Sequence, residues 1–231
     1  MDNGVPLDNG VPLDNGSKVI SYSLWGKRPM FLHGAVMNAK QCREFFPDWK
    51  VRMYHNDSIT NELIETLRGL GVDTIRVDSE GTYGTFWRFR PLFEPEHERV
   101  LVRDVDSRIT WRDVRCVNEW IDSGKKFLTI KDHPSHYDWP IMAGMFGIHG
   151  SLPTSLIPIM NQYAVMHQYV SDQVFLARHV WDYVKLDVCQ LGYREHAWMT
   201  DSWTVDGHMG LGFDENEHPR KDHGAMGDAC I

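Results

Sequence analysis

The stretch Val100-Leu101-Val102-Arg103-Asp104-Val105-Asp106-Ser107-Arg108 joins an apolar run to two carboxylates that are one residue apart. Residues Arg99–Arg103 have the composition of a buried strand, so Asp104 and Asp106 fall where that strand runs into a loop. Carboxylates in such a place can hold a hard divalent cation through oxygen ligands and leave coordination positions for the phosphates of a substrate. The pair is the first candidate site, although Asp-x-Asp also arises by chance and paired acids often face solvent.

The composition is that of an ordinary soluble globular chain. Its 231 residues are 42% hydrophobic and 24% charged, which is enough to bury one substantial core. The formal net charge is −8 and no block of Lys or Arg stands out, so nucleic acid is not an expected partner. We expect no membrane span and no signal peptide. Four dispersed cysteines without a Cys-x-x-Cys motif predict free thiols in the cytoplasm.

Strands and helices alternate along the chain. The predicted strands are Lys18–Leu24, Val51–Tyr54, Thr74–Val77, Arg99–Arg103, Phe127–Lys131 and Ile141–Ile148. The predicted helices are Ala35–Phe46, a helix marked by Ile59, Leu63, Leu67 and Leu70 that ends at Gly71, Thr85–Phe89, Trp111–Ile121, Ser155–Tyr169 and Asp172–Val184. This alternation predicts an α/β fold with a mostly parallel sheet. In such sheets ligands bind at the carboxyl ends of the strands, where Asp104 and Asp106 fall.

The two ends of the chain differ from its centre. Residues 1–17 contain Asp-Asn-Gly-Val-Pro-Leu twice, followed by Asp-Asn-Gly, which is typical of a flexible tail because two copies cannot build a solenoid. Residues 214–231 are rich in charged residues, His and Gly, and are predicted to be a polar tail on the surface. Residues 18–213 are then expected to form a single domain.

Six short segments, in their order and spacing, carry a resemblance to a known family. They are Ile20-Ser21-Tyr22-Ser23-Leu24-Trp25-Gly26, Phe86-Trp87-Arg88-Phe89, Arg103-Asp104-Val105-Asp106-Ser107-Arg108, Asp132-His133-Pro134, Ala143-Gly144-Met145-Phe146-Gly147 and Ser171-Asp172-Gln173. The chain resembles, from about Lys18 to Glu217, the GT-A class of nucleotide-sugar glycosyltransferases with an Asp-x-Asp motif. It is most similar to the small enzymes of this class from chlorella viruses and some bacteria. The resemblance implies a GT-A (Rossmann-like) mixed, mostly parallel sheet flanked by helices.

The resemblance also implies a set of donor-binding residues. Ser21, Tyr22 and Trp25 would contact the nucleotide base, Arg88 would grip the diphosphate, and Gly144 would lie under the donor sugar. Each residue type also has an ordinary structural explanation: a first strand with an exposed Trp, an arginine on a helix surface, and a glycine that allows close packing.

Further roles follow from the resemblance for four acids and one histidine. Asp106 would bind the metal directly, and Asp104 would contact the metal, directly or through water, or the ribose hydroxyls. Asp172 would be the catalytic carboxylate: the general base in an inverting enzyme, or the group that orients the donor sugar in a retaining one. The ordinary explanation is that Ser171 and Asp172 cap their helix and complement its dipole. Asp132 is the alternative catalytic carboxylate, and His208 is a candidate for a further metal ligand.

Two more histidines, His133 and His136, flank Pro134. They do not have the i, i+4 helical spacing of a zinc-binding pair. We therefore expect this segment to be a solvent-exposed loop or a loop that lines the acceptor site.

The function implied by the resemblance is transfer of a sugar from a nucleoside diphosphate sugar, with UDP as the nucleotide, to a glycan or glycoprotein acceptor with Mn²⁺ or Mg²⁺. The location would be the cytoplasm, or the host cytoplasm for a viral chain. A metal-dependent nucleotidyltransferase or nucleotide-sugar hydrolase is an alternative, although no glycine-rich or lysine-bearing phosphate loop follows the first strand. A non-catalytic carbohydrate-binding module is the third possibility. The donor sugar, the acceptor and the stereochemistry stay open.

Overall fold

The computed structural model describes residues 16–78, 83–200 and 207–220. The predicted tail at residues 1–17 therefore lies outside the described residues except for Gly16 and Ser17, and Ser17 already belongs to the first strand. None of the helices in the described ranges is both long enough and apolar enough to cross a membrane.

One seven-stranded sheet organises the chain, with the strands in the order β3-β2-β1-β4-β6-β5-β7. The strands are β1 Ser17–Leu24, β2 Lys50–His55, β3 Val72–Arg76, β4 His97–Arg103, β5 Phe127–Lys131, β6 Met145–His149 and β7 Val188–Gly192. Strand β6 runs antiparallel to β4 and β5, and the other pairs are parallel. The prediction of a mixed, mostly parallel α/β sheet is confirmed.

Helices cover both faces of the sheet. They are α1 Pro29–Phe45, α2 Asn61–Gly69, α3 Trp111–Ser123, α4 Ile157–Ala164, α5 Ser171–Phe175 and α6 Trp181–Val184, with a π-helical turn at Leu176–Val180 between the last two. Short 3₁₀ segments are Gly84–Phe93, Pro134–Asp138, Thr154–Leu156 and Ala197–Met199. Helix α3 has strong local signals, because a Thr110–Asp113 capping box begins it and Gly124 ends it in the left-handed region.

The two faces of the sheet bury separate apolar clusters. On one face Tyr22, Leu101 and Trp120 belong to a cluster that packs against the first three helices. On the other face the aromatic side chains of the Gly84–Phe93 segment pack with those of β6 and α5. Burial on both faces explains why the central strands are continuous apolar runs and not alternating ones.

Several elements differ from the sequence prediction. Helix α1 begins at Pro29 and not at Ala35, since proline is favoured in a first helical turn. Residues 141–144 form a turn before β6 and are not part of the strand. The helix predicted over Ser155–Tyr169 ends at Ala164, because His167 and Val170 have positive φ angles that an α-helix excludes. Strand β7 was not predicted.

The sheet places the candidate residues at one edge. Strands β1 and β4 are parallel neighbours, so Leu24 and Arg103 end at the same side of the sheet. Because β6 is antiparallel to β4, the beginning of β6 lies at this side, and Met145 pairs with Arg103. The residues that follow β1 and β4 and precede β6 therefore converge.

Candidate functional site

A cleft of about 700 Å³ lies at this edge of the sheet. Its wall contains polar side chains from six separate parts of the chain, with glycines and aromatic residues between them. Among the lining residues are Ser23, Trp25, Arg88, Asp104, Asp106, Ser135, His136, Gly144, Asp172, Gly210, Gly212 and Arg220.

Arg88 connects two carboxylates in the cleft. The buried 3₁₀ segment Gly84–Phe93 holds this residue, and its backbone N–H donates to Ser23 Oγ at 2.9 Å. The guanidinium donates to Asp104 Oδ1 and, through Nη2, to Asp172 Oδ2 at 3.0 Å. Burial alone would lower the pKa of Arg88, but the two carboxylates outweigh it and the pKa is raised. One fixed positive charge thus orients an acid from the β4 loop and an acid from α5.

The negative charge of the Asp106 carboxylate is energetically unfavourable in this site. Its Oδ2 accepts a hydrogen bond from Arg220 Nη1 at 3.2 Å. Burial and the nearby Asp104 carboxylate raise the pKa of Asp106 to about 6, against the opposing effect of Arg220. Two carboxylates that repel each other beside an open cleft are suitable oxygen ligands for a hard divalent cation, which would relieve the repulsion. The donor set therefore fits Mn²⁺ or Mg²⁺.

Asp172 points at Arg88 from the first turn of α5. The residue that caps this helix is Val170, with φ +62° and no side-chain cap hydrogen bond, so Asp172 is not the helix cap. Its Oδ1 accepts from the backbone N–H of Gln173 at 2.9 Å. Burial raises the pKa of Asp172, while Arg88 acts in the opposite direction. The Gln173 amide also binds the backbone of Ala143, which fixes the turn before β6.

Gly144 lies directly against the carboxylate of Asp104. A Cβ at position 144 would overlap the Asp104 Oδ2 and Cγ atoms. The pairing of Arg103 with Met145 brings the two residues together. The glycine permits the close approach of Asp104, which agrees with the ordinary explanation of a glycine that allows close packing.

The residues predicted on β1 divide between the core and the cleft. Tyr22 is fully buried in the core and its hydroxyl lies 3.5 Å from Cys42 Sγ. Ser21 is also fully buried, and neither residue is among the described residues that line the cleft. Trp25 lines the cleft, as does Ser23, which was not singled out. The structure therefore does not bring Ser21 and Tyr22 to the other candidate residues, because their side chains lie within the sheet layers.

The comparisons with known proteins concern the fold. No family model matches the chain, and no curated protein matches its sequence. Among solved structures, it is similar to galactosyltransferase LgtC in complex with donor and acceptor sugar analogues, with TM-score 0.50 and 16% identity over 83% of this chain and 84% of that one. The chain has the GT-A fold. A sequence identity of 16% supports similarity of the fold alone.

Two other similar structures overlap the chain less well. One is TarS 1–349 of S. aureus, with TM-score 0.38 and 18% identity over 49% of this chain and 35% of that one. The other is a cytidylyltransferase from Leptospira borgpetersenii serovar Hardjo-bovis, with TM-score 0.46 and 11% identity over 77% of this chain and 76% of that one.

The segment after residue 207 contributes contacts that the sequence did not predict. Phe213 N–H donates to the Asp106 carbonyl at 2.9 Å. Glu217 accepts two hydrogen bonds from Arg108, at 2.7 and 3.1 Å. Residues 214–220 of the predicted polar tail therefore pack against the loop that carries the two acids, and residues 221–231 lie outside the described part of the chain.

Asp132, the alternative catalytic carboxylate, is fully buried. Its Oδ2 accepts from Arg112 Nη1 at 2.8 Å and from Met209 N at 2.6 Å. These contacts join α3, β5 and the segment after residue 207, and Asp132 is not among the described residues of the cleft wall. The structure gives this acid a structural role.

His208 lies beside His133 and His136, with ring centroids 4.4 Å and 5.3 Å away. Burial lowers the pKa of His133. The segment around Pro134 was predicted to be a loop, and it is a 3₁₀ turn whose residue His136 is buried. Three histidines thus meet at one side of the cleft.

Proposed function

We propose that the chain is a glycosyltransferase that moves a sugar from a nucleoside diphosphate sugar to a hydroxyl group of a glycan or glycoprotein. The observation that carries the proposal is the hydrogen bonding of Arg88 to both Asp104 and Asp172, in the cleft that Asp106 also lines. Carboxylates for a cation, an arginine for phosphate oxygens and a buried carboxylate for a hydroxyl group occur there together.

In this proposal Asp104 and Asp106 hold Mn²⁺ or Mg²⁺. The bound ion supplies Lewis-acid neutralisation of the charge that develops on the leaving diphosphate. Arg88 adds a second, fixed positive charge beside it, and its planar guanidinium suits phosphate oxygens. Arg220, which already binds Asp106, lines the same cleft and adds further positive charge.

Asp172 is proposed to act on the sugar or the acceptor. In an inverting reaction its carboxylate takes the proton of the acceptor hydroxyl, whose oxygen forms a bond to the anomeric carbon. The bond from that carbon to the diphosphate oxygen breaks, and its electron pair leaves with the diphosphate. A raised pKa makes the Asp172 carboxylate a better proton acceptor than a free aspartate. In a retaining reaction the same carboxylate would orient the donor sugar.

UDP is the proposed donor nucleotide. Trp25 presents an aromatic side chain at the cleft wall, where it also packs edge-on against Trp87 at 5.9 Å between ring centroids. A flat pyrimidine can stack on such a surface. We propose residues 18–213 as the catalytic domain, with residues 214–220 packed against it. The cytoplasmic location stays a prediction from the sequence.

A thermal-shift screen distinguishes the three functional classes. A glycosyltransferase should be stabilised by UDP-sugars with Mn²⁺, a nucleotidyltransferase by nucleoside triphosphates in preference, and a carbohydrate-binding module by free sugars without metal. Ligand at about 100 times its Kd stabilises by about 2.7 kcal/mol, which shifts Tm by about 5–11 °C in a chain of this size.

The matched variants for this screen are Asp106→Asn and Asp182→Asn. Asp182 is exposed and pairs with Lys185, away from the proposed metal site, so its variant should respond as the wild type does. The proposal predicts that Asp106→Asn loses the Mn²⁺-dependent shift. An equal shift in Asp106→Asn, or stabilisation by free sugars alone, would count against it.

A further inference from the structure

Three histidines from two segments of the chain converge beside the cleft. His133, His136 and His208 each offer a ring nitrogen, and these atoms all lie within 4.8 Å of one another. We propose that these residues form a binding site for a borderline divalent cation, Zn²⁺ in the first place, separate from the Asp104 and Asp106 pair.

The local backbone explains why the first two rings meet. His133 precedes the 3₁₀ segment Pro134–Asp138, and His136 lies within it. In a 3₁₀ turn the side chains at positions i and i+3 lie above one another, whereas in an α-helix a zinc-binding pair needs spacing i, i+4. The ring centroids of the two histidines are 5.6 Å apart. The i, i+3 spacing of His133 and His136 does not match the helical zinc-binding pattern, but it brings the two rings together in this 3₁₀ turn.

A buried ion pair holds the third histidine in place. Asp132, which precedes His133, accepts the backbone N–H of Met209, which follows His208, at 2.6 Å. The same carboxylate oxygen binds Arg112 at 2.8 Å, and both side chains are fully buried. The segments that carry the three imidazoles are thus joined at the residue next to the cluster, so the cluster does not depend on flexible loops.

The ligand chemistry favours zinc over the cations expected at the two acids. Imidazole nitrogens suit Zn²⁺, Ni²⁺ and Cu²⁺, whereas carboxylates suit Mg²⁺ and Mn²⁺. Zn–N bonds of about 2.0–2.1 Å in a tetrahedral site place the nitrogens about 3.3 Å apart, so nitrogens that now lie within 4.8 Å of one another must approach by up to about 1.5 Å to complete the site. The backbone N–H of Ser135 donates to His133 Nδ1 at 3.3 Å and Ser135 Oγ lies 2.8 Å from the same nitrogen, so Ser135 orients that ring through Nδ1.

Another group of potential ligands in the described part of the chain is a weaker candidate. It consists of Glu94, Glu96 and His97. Arg52 Nη1 binds Glu94 at 2.6 Å, and His97 Nε2 lies 2.8 Å from the same carboxylate. The positive charge of Arg52 already compensates that group.

Zinc at this site would affect the cleft itself. His136 and Ser135 line the cleft, and the segment that begins with Gly207 and His208 continues to Gly210 and Gly212, which line it too. Three protein ligands leave one coordination position for water or a substrate oxygen. The cation would therefore join two walls of the cleft, and its binding would stabilise the folded chain by mass action.

The test uses metal-free protein with Zn²⁺ and with Co²⁺ as a spectroscopic substitute. We expect one equivalent of Zn²⁺ to bind and raise Tm, and bound Co²⁺ to show the absorption of a tetrahedral site. His133→Ala and His136→Ala should each weaken Zn²⁺ binding by more than about 100-fold. His149→Ala is the matched control, because His149 is exposed at the opposite end of the sheet, where β6 ends.

The proposal does not depend on the proposed enzymatic function. Asp106→Asn should keep the Zn²⁺ and Co²⁺ signals while losing the Mn²⁺-dependent shift with nucleotide. Unchanged Zn²⁺ affinity in both histidine variants, or loss of zinc in Asp106→Asn with retention in the histidine variants, would overturn the assignment.

A measurement on the wild-type chain covers the case in which a histidine variant does not fold. Diethylpyrocarbonate modifies accessible imidazoles, and the modified positions can be mapped by peptide mass. Zn²⁺ should protect His133 and His208 from modification but leave His149 reactive. Equal modification with and without Zn²⁺ would contradict the site.

Discussion

Gly144 lies so close to Asp104 that a Cβ at position 144 would overlap the carboxylate. The contact forms because β6 is antiparallel to β4, which brings the residue before β6 to the residue after β4. Gly144, which precedes β6, thus controls the orientation of Asp104, which follows β4.

Replacing this glycine should disturb the site and spare the fold. In Gly144→Ala the Asp104 carboxylate must move, and a displacement of about 1 Å at a reacting site can reduce activity about 100-fold. Gly69→Ala is the control, since nothing lies within 4 Å of a Cβ there. The measurement is kcat/KM for donor turnover together with Tm. Wild-type turnover in Gly144→Ala would show that the position of Asp104 is unimportant.

Arg88 should be needed as an arginine and not only as a positive charge. Lysine is a point charge and cannot bind two carboxylates through a planar fork. Arg88→Lys should therefore lower kcat by about 100-fold, as removal of one charge-stabilising donor does in other enzymes. Arg90→Lys, an exposed substitution in the same 3₁₀ segment, should have no such effect. Equal kinetics for the two variants would refute this role.

The Asp106 carboxylate should destabilise the metal-free fold. Its pKa rises from 3.8 to about 6 on folding, so the folded chain binds the extra proton between these values, and its stability falls as pH rises across this window. Above pH 6, Asp106→Asn should be more stable than the wild type by about 1–3 kcal/mol. The difference should shrink towards pH 4, and Mn²⁺ should stabilise only the wild type. Denaturant unfolding at a series of pH values measures this, and a less stable variant at pH 7 would contradict it.

Asp132 and Asp172 should give opposite results when each is replaced by asparagine. Asp132→Asn leaves the buried Arg112 without its counter-charge, which typically costs about 3–5 kcal/mol of folding free energy. Asp172→Asn should remain folded but lose turnover. Measurement of Tm and kcat for both variants separates the roles. If Asp132→Asn were stably folded but inactive and Asp172→Asn were active, Asp132 would be the catalytic acid and the assignment would be wrong.

The acids of the site could be predicted because their signal is local. Asp104 and Asp106 directly follow an apolar strand, and the α/β alternation around them predicts which edge of the sheet they occupy. Which side chains of β1 reach the cleft and which enter the core could not be predicted in the same way. Its strand is buried on both faces, so polarity does not show that Ser23 reaches the cleft while Tyr22 enters the core.

Contacts between distant parts of the chain carried no sequence signal. Arg220 binds Asp106 across 114 positions, and the charged composition around Arg220 predicted only a surface tail. The histidine cluster depends on a 3₁₀ turn, whose spacing differs from the helical pattern for zinc. Strand β7 is short and only partly buried, which left Val188–Gly192 without a clear strand pattern.

Turnover of UDP-sugars with Mn²⁺ by the wild type, Asp106→Asn and the control Asp182→Asn tests the central claim most directly. The account predicts release of UDP, slowly by hydrolysis and faster with a suitable glycan acceptor. Asp106→Asn should lose about 10²–10³-fold in rate, and Asp182→Asn should keep the wild-type rate. Turnover in Asp106→Asn at the wild-type rate, or release of pyrophosphate from nucleoside triphosphates with no turnover of any nucleotide sugar, would contradict the account.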